Sequence, residues 1–126
     1  METWKQLSED SFLAAEALFR EGRYRSCISR AYYAAYCAAT HEIVRKLTTF
    51  SHSRQNPSHE KVPTYITNNL TIPLARRQTA DTLFHILRLF REDADYRPHI
   101  LVDEQMARGC IRNALAIRRA LWGTTR

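Results

Sequence analysis

Four polar residues in the second half of the chain have the types and spacing for phosphate-directed acid–base chemistry: Arg91, Asp95, Tyr96 and His99. An arginine fork holds two phosphate oxygens at once and keeps its charge throughout the physiological range. A histidine, with a reference pKa of ~6.5, can both take up and release a proton near neutrality. Asp95 is placed to orient either side chain, and Tyr96 offers a hydroxyl for a phosphate or a ring for a base. Each residue also has a purely structural reading. Arg91 and Asp95 stand four apart and can form an ion pair at a helix end, worth roughly 0.2–0.5 kcal/mol. His99, beside Pro98, can be an ordinary loop histidine, and Tyr96 can pack under the loop with its hydroxyl satisfied locally.

The elements that must hold these residues are helices. Only 3 glycines and 4 prolines punctuate the chain, too few for a turn-rich sandwich or barrel. Thr3 and Gln6 have capping-box spacing, and Trp4, Leu7, Ser11, Ala14 and Leu18 recur at helical intervals until Gly22, which predicts a first helix over about 4–21. Tyr24 to Leu47 contains neither Gly nor Pro and reads as a second long helix. At ~100° per residue, Tyr32, Tyr36, Ile43 and Leu47 form one stripe, and Cys27, Ala31, Ala34, Ala35 and Ala38 form another nearly opposite. A helix apolar on two sides lies between neighbours, and its small-residue stripe admits a close partner, either from the same chain or from a second subunit.

Residues 48–57 are the most polar stretch and read as a loop. Asn56-Pro57 has the form of a cap and first-turn proline for a short helix to about Leu70, with Pro63 arguing for a break or a late start. Ile72-Pro73 leads into a helix of about 73–93 with a core stripe of Ala80, Leu83, Leu87, Phe90 and Ala94. Arg91 falls at the edge of that stripe, in line with Phe84. Pro98 marks a break, and Asp103 caps a last helix to about Trp122, stopped by Gly123. That helix buries Met106, Cys110, Ala114, Ile117 and Leu121 and carries Arg108, Arg112 and Arg119 on its other side. Gly109 in its middle costs roughly 1 kcal/mol relative to alanine, for which close backbone packing is a reason.

The 126 residues and 14.7 kDa suit a single domain spanning 1–126, folded as an all-α antiparallel up-and-down bundle of four to five helices. Lys+Arg 19 against Asp+Glu 13 gives a net charge of +6, which favours polyanionic partners without choosing among them. Cys27, Cys37 and Cys110 lack CxxC spacing and lie among apolar neighbours, as buried thiols of a reducing cytoplasm do. The first residues lack the pattern of a signal peptide, and no segment is apolar enough to span a membrane, so a soluble cytoplasmic protein is expected. A Ser–His–Asp elbow and a glycine-rich phosphate loop are both absent.

Three segments stand out in order along the chain: Leu18-Phe19-Arg20-Glu21-Gly22-Arg23-Tyr24 followed by Ser29-Arg30-Ala31-Tyr32-Tyr33-Ala34-Ala35-Tyr36, then His59-Glu60-Lys61-Val62, then Leu89-Phe90-Arg91-Glu92-Asp93-Ala94-Asp95-Tyr96. Together they resemble the HEPN superfamily, in particular its small stand-alone prokaryotic members. The resemblance implies a helical bundle that dimerises through its core helices. It also implies metal-independent endoribonuclease activity in a toxin–antitoxin pair, whose antitoxin is commonly a minimal nucleotidyltransferase. In such members an arginine followed after four to six residues by histidine cleaves RNA at the dimer cleft. Arg91 matches the arginine, but His99 follows after seven intervening residues. A tyrosine near that motif, here Tyr96, can be a target for nucleotide transfer by the partner. A non-catalytic HEPN module that binds a nucleotide or a nucleotidyltransferase is the alternative.

The residue types agree with that chemistry. RNA carries a 2′-hydroxyl beside each phosphodiester, so cleavage requires removing that proton, stabilising the phosphorane and protonating the leaving oxygen. No cofactor or metal is needed for these steps. Arg30 is expected to pair with Glu92, Asp93 or Asp95, or to reach the same cleft alongside Cys37 and His41. His52 and His59 lack the clustered cysteines or carboxylates of a metal site, and the Arg108, Arg112 and Arg119 stripe is a solvated face or a surface for RNA or antitoxin.

Overall fold

The computed structural model of the protein describes residues 2–47 and 56–123. Its elements are α1 (Trp4–Arg20), α2 (Tyr24–Val44), a 3-10 turn (His59–Lys61), α3 (Val62–Asn69), α4 (Leu74–Tyr96) and α5 (Glu104–Trp122), with no strand among the described residues. The helix ends follow from local chemistry. The Thr3 hydroxyl accepts from the Gln6 N–H at 3.1 Å, while Gln6 Oε1 accepts from the Thr3 N–H at 2.8 Å, the reciprocal capping box. Gly22 leaves α1 at φ +76, and the Arg23 N–H reaches back to the Leu18 carbonyl at 2.9 Å. Asp103 caps α5 by accepting from the Met106 N–H at 3.0 Å, and Gly123 releases it at φ +94.

α2 is the centre of the bundle. It packs against α1, α3, α4 and α5, and twelve of its 21 residues are buried. Both stripes are therefore covered, and the neighbours that cover them belong to this same chain rather than to a second subunit. The small-residue stripe does admit a close partner: Ala31, Ala34, Ala35 and Ala38 have no exposed surface, and Ser8 of α1 donates to the Ala34 carbonyl at 2.7 Å. Short turns fold α1 back along α2 and α4 back along α5, giving the up-and-down order. Cys27, Cys37 and Cys110 are unpaired and buried. Among the described residues, no helix is long and apolar enough to cross a membrane.

Four sequence expectations are corrected. The short third helix does not begin at Pro57; it takes the late start that Pro63 argued for, at Val62 with Pro63 in its first turn. Pro63 fits there because the first-turn N–H has no intrahelical partner, whereas the Pro57 carbonyl accepts from the Tyr36 hydroxyl at 2.6 Å. α4 continues three residues beyond 93, so Asp95 and Tyr96 are helical. The guanidinium of Arg25 supports this extension by donating to the carbonyls of Asp93 and Ala94 at 3.1 and 3.0 Å, the first of which also accepts from the Arg97 N–H at 3.2 Å. In α1 the buried face is rotated toward Ser8, Ser11, Phe12 and Ala15. Finally, a Cβ on Gly109 would meet nothing within 4 Å, so close packing does not account for that glycine.

Candidate functional site

The last turn of α4 lies against the first half of α2, and this contact gathers the polar residues. Asp95 Oδ2 accepts from Arg91 Nε at 2.9 Å and from the Ser29 hydroxyl at 3.2 Å. The other end of the Arg91 guanidinium is 3.4 Å from the Tyr96 hydroxyl. Its carbon is 5.3 Å from the centre of the Tyr32 ring and 5.3 Å from that of Tyr96, within the range of cation–π attraction. Arg91, Asp95 and Tyr96 thus form one unit, with the arginine oriented by a carboxylate and two rings. Its side chain is 22% exposed, enough to meet a ligand without being a free surface charge. Tyr96 is 67% exposed.

Beneath Arg91 lies an aromatic cluster. The buried Tyr32 hydroxyl is 2.6 Å from His59 Nδ1. Burial raises the Tyr32 phenol above its ordinary range, an effect that Arg88 and Arg91 only partly offset. The phenol therefore stays protonated, and its hydroxyl and Nδ1 share one hydrogen bond whose direction follows the tautomer of His59. His59 also stacks on Tyr36 at 4.0 Å with 14° between the planes, and meets the edge of Tyr33 at 6.1 Å. Tyr36 donates to the Pro57 carbonyl and accepts from Asn56 Nδ2 at 2.7 Å. These contacts fasten the segment from 56 to 59 onto α2.

His99 is not drawn into this unit. It lies on the exposed turn after α4 and makes no hydrogen bond, ion pair or ring contact among the described residues. The chain leaves the helix after Tyr96, so His99 does not occupy the position two turns beyond Arg91 on the same spiral. Its turn is nevertheless fixed, because Arg25 also donates to the carbonyls of Arg97 and Pro98 at 3.3 Å each and to that of Ile100. The histidine that does share a ring with Arg91 is His59, through Tyr32.

Other expectations are sorted by the same geometry. Arg30 pairs with none of Glu92, Asp93 and Asp95, since Asp95 is held by Arg91 and Ser29 and Asp93 by Arg97 at 2.7 Å. Arg30 instead lies 4.9 Å from the Tyr33 ring. His41 belongs elsewhere, 3.8 Å from Glu42 and against Trp122, and burial holds its pKa below the usual value. Within the arginine stripe, Arg108 is bound to Glu104 at 2.7 Å, whereas Arg112 and Arg119 are exposed and have no partner among the described residues. Among the described residues, the buried arginine is Arg118, 2% exposed and paired with Glu9. His52 lies outside the described residues. Among the described residues, no three His, Cys, Asp or Glu side chains cluster in a way that could hold a metal.

Ser29, Tyr32 and Tyr36 recur at three- and four-residue intervals along one face of α2, a spacing that marks them as neighbours. Arg25 gave no such signal. Its partners lie 68 to 75 residues away in sequence.

Neither the curated proteins nor the solved structures contain a match to the chain. A family model, described as HEPN domain, matches residues 1–122. That span runs from the residues before α1 through the end of α5, and the all-helical bundle agrees with it. The chain belongs to the HEPN domain family.

Proposed function

We propose that this HEPN domain is a metal-independent endoribonuclease that acts as a homodimer in the cytoplasm and is neutralised by an antitoxin such as a minimal nucleotidyltransferase. The observation that carries the proposal is the fixing of Arg91 by Asp95, Tyr32 and Tyr96. With Nε committed to Asp95, the guanidinium retains donors for the non-bridging oxygens of a phosphodiester. The charge develops on those oxygens in the phosphorane, so a preorganised cation favours the transition state over the ground state.

In the proposed reaction the RNA 2′-oxygen attacks the adjacent phosphorus. Its proton passes to a base, the bond to the 5′-oxygen breaks, and that oxygen takes up a proton. His99 is the proton carrier in this reading, with Asp95 and Tyr96 positioning Arg91 and meeting the substrate. A second copy would bring a second set of these residues to the cleft. The exposure of Tyr96 suits it to modification by a nucleotidyltransferase partner.

A second reading is favoured by one observation: His99 makes no contact with Arg91 or Asp95. In that reading the protein is a non-catalytic module that binds a nucleotide or a nucleotidyltransferase. Single-stranded RNA incubated with the purified protein in EDTA separates the two. Wild type is expected to cleave, and Arg91→Ala and His99→Ala to fail. Intact RNA with wild type, or undiminished cleavage by both variants, defeats the nuclease proposal.

A further inference from the structure

Three arginines with no carboxylate partner among the described residues meet at the opposite end of α4. A cleft of about 620 Å³ between the start of α4 and the end of α5 is lined by Arg76, Arg112 and Arg119, over a floor that includes Leu115, Ala116 and Ala120. Among the described residues, no Asp or Glu lines it. Arg76 is anchored there, its Nε donating to the Ala120 carbonyl at 2.8 Å, so its terminal nitrogens remain for a ligand. The side chains of Arg112 and Arg119 are exposed and make no hydrogen bond, ion pair or ring contact among the described residues. Arg108 on the same helix is bound to Glu104, and Arg45, Arg91, Arg97 and Arg118 are each bound to a carboxylate. Among the described residues, the cleft thus gathers three positive charges with no carboxylate beside them, over a small apolar base.

We infer that this cleft is a phosphodiester-binding subsite for a single-stranded RNA, remote from Arg91. The inference rests on RNA being the ligand of the domain and adds where a second stretch of strand is held. Arg112 and Arg119 are seven residues apart, ~20° around the helix and about 10 Å along it. One phosphate does not bridge that distance, but successive phosphates of one strand do. The floor accepts sugar and base edges between them. Arg76 precedes Arg91 by fifteen residues of continuous helix, about 22 Å, so an RNA several nucleotides long is required to reach both places.

The test is direct binding in the Arg91→Ala background, which removes cleavage from the measurement. A 3′-fluorescein 20-mer of oligouridylate is titrated by anisotropy over a series of salt concentrations, with and without Arg112→Gln/Arg119→Gln. The double variant is expected to bind on the order of tenfold more weakly near ~0.1 M salt. Its log–log salt slope is expected to be smaller by about 1.4, the value for two lost single-strand phosphate contacts. Arg108→Gln, whose charge is already paired, is expected to leave the slope in place. Equal affinity and slope in the double variant overturn the subsite. So does displacement of the RNA by a polyglutamate peptide of the same charge as readily as by unlabelled oligouridylate, which would assign the cleft to an acidic protein. Salt-dependent loss of binding in the double variant supports the subsite even if wild type never cleaves RNA, so its failure and that of the nuclease reading are separable.

Discussion

The hydroxyl of Tyr32 lies 2.6 Å from Nδ1 of His59, and the ring of the same tyrosine supports the Arg91 guanidinium. One fully buried residue of α2 therefore joins the segment after residue 55 to the end of α4. Tyr32→Phe keeps the ring under Arg91 and deletes the hydroxyl that bonds to His59. Loss of that hydrogen bond is expected to cost about 1–2 kcal/mol. Urea denaturation is expected to show that loss, with the helical circular dichroism unchanged. A variant as stable as wild type would mean that the hydroxyl contributes nothing to fastening His59.

Arg25 supports a second prediction. Five carbonyls, those of Asp93, Ala94, Arg97, Pro98 and Ile100, accept from its guanidinium. Lysine presents three donors at one point and cannot reproduce a planar fork spread over a turn. Arg25→Lys is expected to cost about 1–3 kcal/mol and to speed amide exchange specifically between 97 and 103. If cleavage depends on where His99 is held, activity falls with it while the melting of the remaining bundle stays cooperative. Exchange in 97–103 identical to wild type would show that the turn is held by something else.

What could be read from the sequence divides along the range of the interaction. The capping box of Thr3 and Gln6, the Asp103 cap and the glycine stops at 22 and 123 are decided within four residues, and each stands where the spacing put it. The burial of α2 on two sides was likewise written in its own periodicity. The start of the third helix was not, because Pro57 and Pro63 have equal local claims and the choice depends on Tyr36 binding the Pro57 carbonyl from another helix. Arg91 and Asp95 were legible as a pair because their i, i+4 spacing brings them together at a helix end, and Tyr96 as their neighbour in sequence. His59 was not linked to them, since its link runs through Tyr32, 27 residues away. Arg118 and Arg119 look alike as neighbours in sequence, yet the first is enclosed by Phe12, Trp122 and Glu9 and the second faces solvent.

Gly109 offers a stabilising substitution. It lies inside α5, and an added Cβ has open space around it. Alanine in place of a mid-helix glycine restricts the unfolded chain and improves helix propensity by roughly 0.5–1 kcal/mol. Gly109→Ala is expected to raise the thermal midpoint by ~2–5 °C. A lowered midpoint would indicate that something outside the monomer, such as a second copy, approaches that backbone.

The three buried thiols make stability depend on alkaline pH. Burial pushes Cys27 up to about 11 and Cys37 and Cys110 to about 12. In the unfolded chain a thiol ionises near ~8.5. Above that value the unfolded state releases protons that the folded state keeps, so the folded state binds more protons and stability falls as pH rises. The loss is absent below about pH 8, grows through pH 9 and 10, and levels off only above the folded values. Between pH 8 and 9.5 most tyrosines remain protonated, which isolates the thiols. Wild type is expected to lose stability over that interval in urea titrations, and Cys27→Ala/Cys37→Ala/Cys110→Ala to lose less. The same burial predicts that a disulfide reagent at pH 8 labels no described thiol until denaturant is added. Labelling of the folded protein at the rate of free cysteine would contradict both expectations, because it would require the sulfurs to reach water without unfolding.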